Sequence, residues 1–173
     1  MKRLLPLFIM LLIFVAACEY QEPLADKQDI AVNPTLLGLW VPSPDNNEPP
    51  PPDEWILALK YSDTEYMIHY RTGSGSMYFR AYPVKIGDIS CMQLQLIGDA
   101  NGPMKKTDPP YQVASVILNG DEVIISMMNT SVVDPRLRGA ALRDALQKNI
   151  KNSKLFREPA KFRRVVKADK PGI

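Results

Sequence analysis

Few side chains in this sequence are placed to do chemistry. A thiol stands at Cys18, directly after the small residues Val15-Ala16-Ala17. A thiolate is a nucleophile able to accept an alkyl group as a thioether. The second thiol, Cys91, lies in Ile89-Ser90-Cys91-Met92 and reads as a small buried hydrophobe. Two cysteines exclude a disulfide framework and a four-thiolate zinc site, and a single histidine excludes a two-histidine metal motif. That histidine, His69, sits between Ile68 and Tyr70 with no acidic or thiol pattern around it. Ser74, in Gly73-Ser74-Gly75-Ser76, lacks the strand–turn–helix setting of a hydrolase nucleophile, and no Gly-Lys-Ser/Thr follows to make a phosphate loop. Asp53-Glu54 and Asp121-Glu122 fall in turn-forming sequence and read as solvent-facing. No catalytic set, metal site or cofactor is expected.

What remains is aromatic. Tyr61, Tyr66, Tyr70, Tyr78 and Tyr82 fall within 22 residues. Strand alternation puts Tyr66, Ile68 and Tyr70 on one face, and Tyr78, Arg80 and Tyr82 on one face of the next strand. Tyr66, Tyr70, Tyr78, Arg80 and Tyr82 are therefore the candidate surface for a ligand or partner. The alternative is ordinary strand composition, because tyrosine favours strands.

The elements that must position these residues are mostly strands. Short alternating runs at 35–41, 55–61, 64–71, 76–86, 89–97, 111–118, 122–128 and 160–167 are separated by turn sequence. Asn119-Gly120 is a strong two-residue hairpin signal, and Pro83 suggests a bulge in the long fourth run. Prolines at 42, 44 and 49–52 make residues 42–54 a stiff polyproline loop. Asp134-Pro135 has the form of an N-cap followed by proline at the first helical position, predicting a helix to about residue 152. Its apolar stripe is Leu137, Ala141, Leu142, Ala145, Leu146 and Ile150. About eight strands in a meander predict an antiparallel up-and-down β-barrel with one amphipathic helix before the last strand, its first and last strands pairing to remove the edges.

The 173 residues, 46% hydrophobic and 23% charged, fit one globular domain. Lys2 and Arg3 precede an uncharged apolar stretch at 4–17, which reads as a signal peptide and is too short for an ordinary membrane span. Residues 1–17 are thus the signal peptide, 18–33 a polar tether, 34–168 the barrel domain and 169–173 a disordered tail. Charge is uneven. Residues 18–133 carry seven basic and fifteen acidic side chains, whereas residues 134–173 carry twelve basic and four acidic. The basic helix reads either as a face for anionic lipid or an acidic partner, or as a solvated face balanced by the acidic barrel. No nucleic-acid partner is expected.

Val15-Ala16-Ala17-Cys18, after its charged and apolar regions, resembles the lipobox of bacterial lipoproteins. The resemblance implies diacylglycerol attached to the Cys18 sulfur, cleavage before Cys18, and acylation of the new amine, palmitate being the expected acyl group. Several chains on one residue suffice for stable anchoring where one does not. Glu19 stands where enterobacterial inner-membrane lipoproteins carry aspartate, so the resemblance points to the periplasmic face of the outer membrane. Gly38-Leu39-Trp40 on the first strand resembles the Gly-x-Trp signature of lipocalins and other calycins. There the tryptophan closes the barrel base and packs on a late-strand arginine, here Arg163 or Arg164. Calycins place their long helix after the last strand, whereas this chain places it before. Gly38-x-Trp40, the meander, the basic helix and the ending at 156–165 together resemble small bacterial lipoproteins of uncharacterised function, over about residues 35–166. The expected role is a lipid-anchored, non-enzymatic binding or interaction module of the envelope. Its partner would be an envelope protein or a small apolar ligand carried in lipocalin fashion. A further alternative is inhibition of a secreted hydrolase through loop 42–54 or 98–110.

Overall fold

The computed structural model describes residues 20, 22–25, 27–44, 49–104 and 111–165. The signal peptide, Cys18, the tail at 169–173 and parts of both long loops lie outside them. A 3-10 turn, Pro34–Leu36, leads into β1 (Gly38–Pro42), followed by β2 (Trp55–Lys60), β3 (Tyr66–Thr72), β4 (Gly75–Ile86), β5 (Ile89–Asp99), the two-residue β6 (Gly102–Pro103), β7 (Tyr111–Asn119) and β8 (Glu122–Met128). Helix α1 (Gly139–Lys148) then precedes β9 (Phe156–Arg164).

Every pairing is antiparallel, and the order β4-β3-β2-β1-β9-β8-β7-β5 closes through a β4–β5 pairing. The result is a closed, eight-stranded, up-and-down barrel of calycin-like form, with β6 a short appendage on β5. Closure depends on Trp40 lying opposite Arg164, which pairs the first strand with the last and leaves no open edge between them. Connections alternate between two ends. The β1–β2, β3–β4, β5–β7 and β8–β9 connections lie at one end, called here the rim. The β2–β3, β4–β5 and β7–β8 turns lie at the other, the base, where β1 begins and β9 finishes.

Asn119-Gly120 makes the expected hairpin, with Gly120 at φ 61 and Asn119 opposite Glu122. The bulge expected at Pro83 is elsewhere. Pro83 pairs regularly with Met92, and the register slips where Tyr78-Phe79 meets Gly98 and Leu96. β3 stops opposite Ala81, so Pro83 borders an unpaired edge that tolerates a missing donor. A second irregularity sits where Ile125 and Met127 face Ala160 and Arg157, beside Glu158 at φ 55. This extra residue turns Phe156 outward while Ala160 and Phe162 face in.

The helix is shorter than the pattern predicts. The Asp134 carboxylate accepts from the Arg136 backbone N–H at 2.9 Å and from the Arg136 guanidinium, so it makes a local turn instead of a helix cap. Gly139 at φ 49 then interrupts any helical path from residue 134. Leu142 and Leu146 are buried, and Leu137, Ala145 and Ile150 pack beside them, but Ala141 is exposed.

The helix and β4, β5, β7 and β8 enclose a core outside the barrel, built on Tyr82, Val84, Ile86, Cys91, Val113, Met128, Leu142 and Leu146. The segment read as a tether contributes to it. Tyr20 is 1% exposed and exchanges both backbone hydrogen bonds with Tyr111, at 2.6 and 3.0 Å. Its hydroxyl donates to the Met128 sulfur at 3.1 Å. The Leu24 N–H donates to Gln93 Oε1 at 2.6 Å, and Val32 N–H to the Asp63 carbonyl at 2.9 Å. The segment therefore runs along the outside of the wall from rim to base. Its sequence is mostly polar, and its two large apolar anchors, Tyr20 and Leu24, are too sparse to show a period.

Candidate functional site

The barrel lumen is the site that the fold constructs. Alternation aims Trp40, Ile56, Tyr66, Ile68, Tyr70, Phe79, Met92, Leu94, Ala114, Ile125, Met127 and Phe162 inward. These enclose a cavity of about 140 Å³. Small side chains at Ala58 and Ala114 leave part of the space, because neither fills its position on the inner face. Apolar cavities near ~150 Å³ stay dry and admit benzene-sized guests. Three lining methionines, Met77, Met92 and Met127, are unbranched and adjust to an occupant.

The polar groups at the cavity's margins are mostly engaged elsewhere. The Tyr70 hydroxyl donates to Glu54 Oε1 at 2.8 Å near the rim. Burial, reinforced by the Glu54 carboxylate, pushes its pKa far above the ordinary phenol range. At the base, Tyr66 Oη accepts from the Asn33 backbone N–H and donates to the Asn33 carbonyl at 3.3 Å. Burial raises its pKa too, partly offset by the Asn33 N–H. Gln112 is the amide among the lining residues. A lumen whose hydroxyls already have partners attracts an apolar guest more than a polar one.

The base is closed by the Gly38-x-Trp40 element. Trp40 is 2% exposed, and its Nε1–H donates to the Leu36 carbonyl at 3.0 Å. The Arg164 guanidinium, not that of Arg163, lies 4.4 Å from the Trp40 ring centroid. It also donates to the Leu37 carbonyl at 2.7 Å and to the Thr35 carbonyl, tying the last strand to the entry turn. Gly38 has φ 125, and a Cβ there would sit 3.2 Å from an Arg164 guanidinium nitrogen. Glycine is therefore needed both for the backbone and for the arginine's approach.

The five candidate surface residues do not share one face. Tyr66 and Tyr70 point into the lumen. Tyr70 lies opposite Met77 and His69 opposite Tyr78, so the register sends Tyr78, Arg80 and Tyr82 to the outside. Tyr78 stacks on His69 with centroids 4.4 Å apart, and Trp55 meets His69 edge-on at 4.6 Å. Burial, then the nearby Arg71 charge, lowers the His69 pKa. Arg80 forms a 2.5 Å ion pair with buried Glu65 and lies 5.4 Å from the Tyr61 ring. Tyr82 is covered by the N-terminal segment, and burial pushes its pKa up to about 12. The aromatic run thus serves three environments: lumen, exposed wall and outer core. Cys91 occupies the outer core as expected, its thiol pushed up to about 12 by burial.

Sequence reasoning missed the cavity's methionines and alanines. The period-two pattern from Trp40 was a usable signal, but only once the register between strands is known. Among the described residues no group of three or more His, Cys, Asp or Glu side chains could hold a metal ion, and no helix is long and apolar enough to cross a membrane. In comparisons with known proteins, no family model matches the chain, and no curated protein or solved structure is significantly similar to it.

Proposed function

We propose that this chain is a lipid-anchored envelope protein whose barrel binds a small apolar ligand in its lumen and performs no catalysis. The observation that carries the reading is the cavity of about 140 Å³ with its almost wholly apolar lining. This volume is below the ~300–1,000 Å³ typical of drug-sized ligand sites, which favours a compact hydrophobe or a short alkyl segment. The anchor comes from the resemblance of Val15-Ala16-Ala17-Cys18 to a lipobox, with the outer membrane as its expected location. Among the named candidates, Tyr66 and Tyr70 belong to the ligand-facing wall, Gly38 and Trp40 to the closed base.

The test is titration of the protein with toluene and short-chain alkanols, following thermal midpoint and Trp40 fluorescence in a Trp55→Phe background. The reading expects a rising midpoint and a Trp40 response, both lost in Ala114→Leu, which fills the cavity. A midpoint that does not move with any of these compounds, or an Ala114→Leu variant that responds like the parent, contradicts it.

A further inference from the structure

The N-terminal segment fixes which end of the barrel faces the membrane. Tyr20 pairs with Tyr111, the first residue of β7, and its hydroxyl reaches Met128, the last residue of β8. Both positions are at the rim. The chain then descends the outer wall and reaches the base only at Val32 and Asn33, beside Asp63 and Tyr66. Only Glu19 separates Cys18 from Tyr20. Two residues span at most about 7 Å even when fully extended. An acylated Cys18 therefore cannot stand the barrel off from the bilayer, nor reach around to the base.

The chemistry beside this exit fits a lipid surface. The β8–β9 connection, residues 129–155, sends its helix down the wall to the base, where Gln147 and Ile150 lie beside Gly87, and begins and ends at the rim. Arg138 and Lys154 are exposed there, and the Tyr20 hydroxyl also bonds the Val133 carbonyl within the same connection. The Asn129 side chain donates to the Lys154 carbonyl at 3.0 Å, which holds the end of the connection against its start. An anionic headgroup layer would attract Arg138 and Lys154 at this side of the rim.

We infer that the barrel docks rim-first on an anionic phospholipid bilayer, with the start of β7 and the two ends of the β8–β9 connection against the headgroups and the Trp40 base facing away. The inference rests on the lipid-anchor reading of Cys18. It is tested with full-length, host-processed protein reconstituted into vesicles containing a quencher-headgroup lipid. Fluorophores are placed at Asn101→Cys on the rim or Asp88→Cys in the β4–β5 turn, under labelling conditions that spare buried Cys91. The expected result is quenching several-fold stronger at position 101 than at 88 in phosphatidylethanolamine–phosphatidylglycerol vesicles, with a smaller ratio in phosphatidylcholine. Mass spectrometry of the same sample reports acylation of Cys18. An acylated protein with equal or reversed quenching, or with a ratio indifferent to lipid charge, overturns the docking orientation alone. An unmodified Cys18 overturns the orientation together with the anchor.

Discussion

On the outer face of β4 and β5, Tyr82, Val84, Ile86 and Cys91 are covered by α1 and the N-terminal segment. On the inner face of the same two strands, Phe79, Met92, Leu94 and Leu96 border a cavity. Both faces are apolar, and both are closed to water over much of their area. They differ in what fills them. The outer face receives leucines from a helix free to settle at its best depth. The inner face receives only what the opposite wall can offer, at a spacing set by strand number and tilt. A barrel wall cannot move in to fill its own centre, so an unfilled lumen remains unless large side chains are supplied. Here Ala58 and Ala114 stand where larger residues would occupy it.

The largest test of this contrast is truncation. Leu146→Ala removes a fully buried side chain from the outer core and is expected to cost about 2–5 kcal/mol by urea unfolding. Leu94→Ala, on a half-buried residue that already faces empty space, should cost less than about 2 kcal/mol. Equal losses would remove the distinction between the two cores.

The base comes next. Arg164→Ala strips a stacked cation from Trp40 and leaves the Leu37 and Thr35 carbonyls without their guanidinium partner. A loss of about 2–3 kcal/mol is expected, with altered Trp40 emission. Arg163→Ala, one residue away on the opposite side of the strand, should leave that emission unchanged.

Alkaline pH tests burial in both cores, because the lumen's Tyr66 and Tyr70 are raised as well, and only the Cys91 thiol reports on the outer core alone. Cys91 and Tyr82 both belong to the outer core, and burial raises each to about 12 from reference values of 9.0 and 10.0. Above pH 9 the unfolded chain releases protons that the folded chain retains, so stability falls as pH rises. The contribution is intact below pH 9 and is lost progressively up to about pH 12. Denaturation midpoints between pH 8 and pH 11 should therefore decline, and Cys91→Ala should flatten the first part of the decline. A midpoint constant to pH 11 would mean these groups are more hydrated than their burial implies.

The smallest effect on stability is expected from filling the lumen. Ala114→Leu should change it by about 1 kcal/mol or less, because added methylenes enter existing space. A destabilisation like that of Leu146→Ala would show the lumen to be as tightly packed as the outer core.

Much of this architecture was legible in sequence, for identifiable reasons. Asn119-Gly120 specifies a hairpin locally, and Gly38 with Trp40 marks the strand that closes the barrel. Alternation correctly grouped Tyr66 with Tyr70, and Tyr78 with Arg80 and Tyr82. It could not say whether neighbouring strands turn the two groups to the same side, since that depends on Tyr70 meeting Met77 and not Tyr78. The helix start was misplaced because Asp134 can cap a helix or bind Arg136, and local sequence does not decide between them. The N-terminal segment was read as a tether because its burial rests on Tyr20 and Leu24, whose partners lie 91 and 69 residues away in sequence, at Tyr111 and Gln93.

The central claim is that the lumen is an apolar cavity able to hold a guest, whereas the cleft of about 760 Å³ beside the outer core, between the N-terminal segment, the end of β4 and α1, is lined in part by Lys27, Asp29, Arg143 and Asp144 and holds water. Crystals of the protein pressurised with xenon test it most directly, because xenon enters dry apolar space without needing a specific contact. The account predicts xenon density inside the barrel, among Met92, Ala114 and Met127, and none between α1 and the barrel wall, where charged side chains keep the cleft wet. Xenon beneath the helix with an empty lumen, or a lumen filled by ordered water, would contradict it.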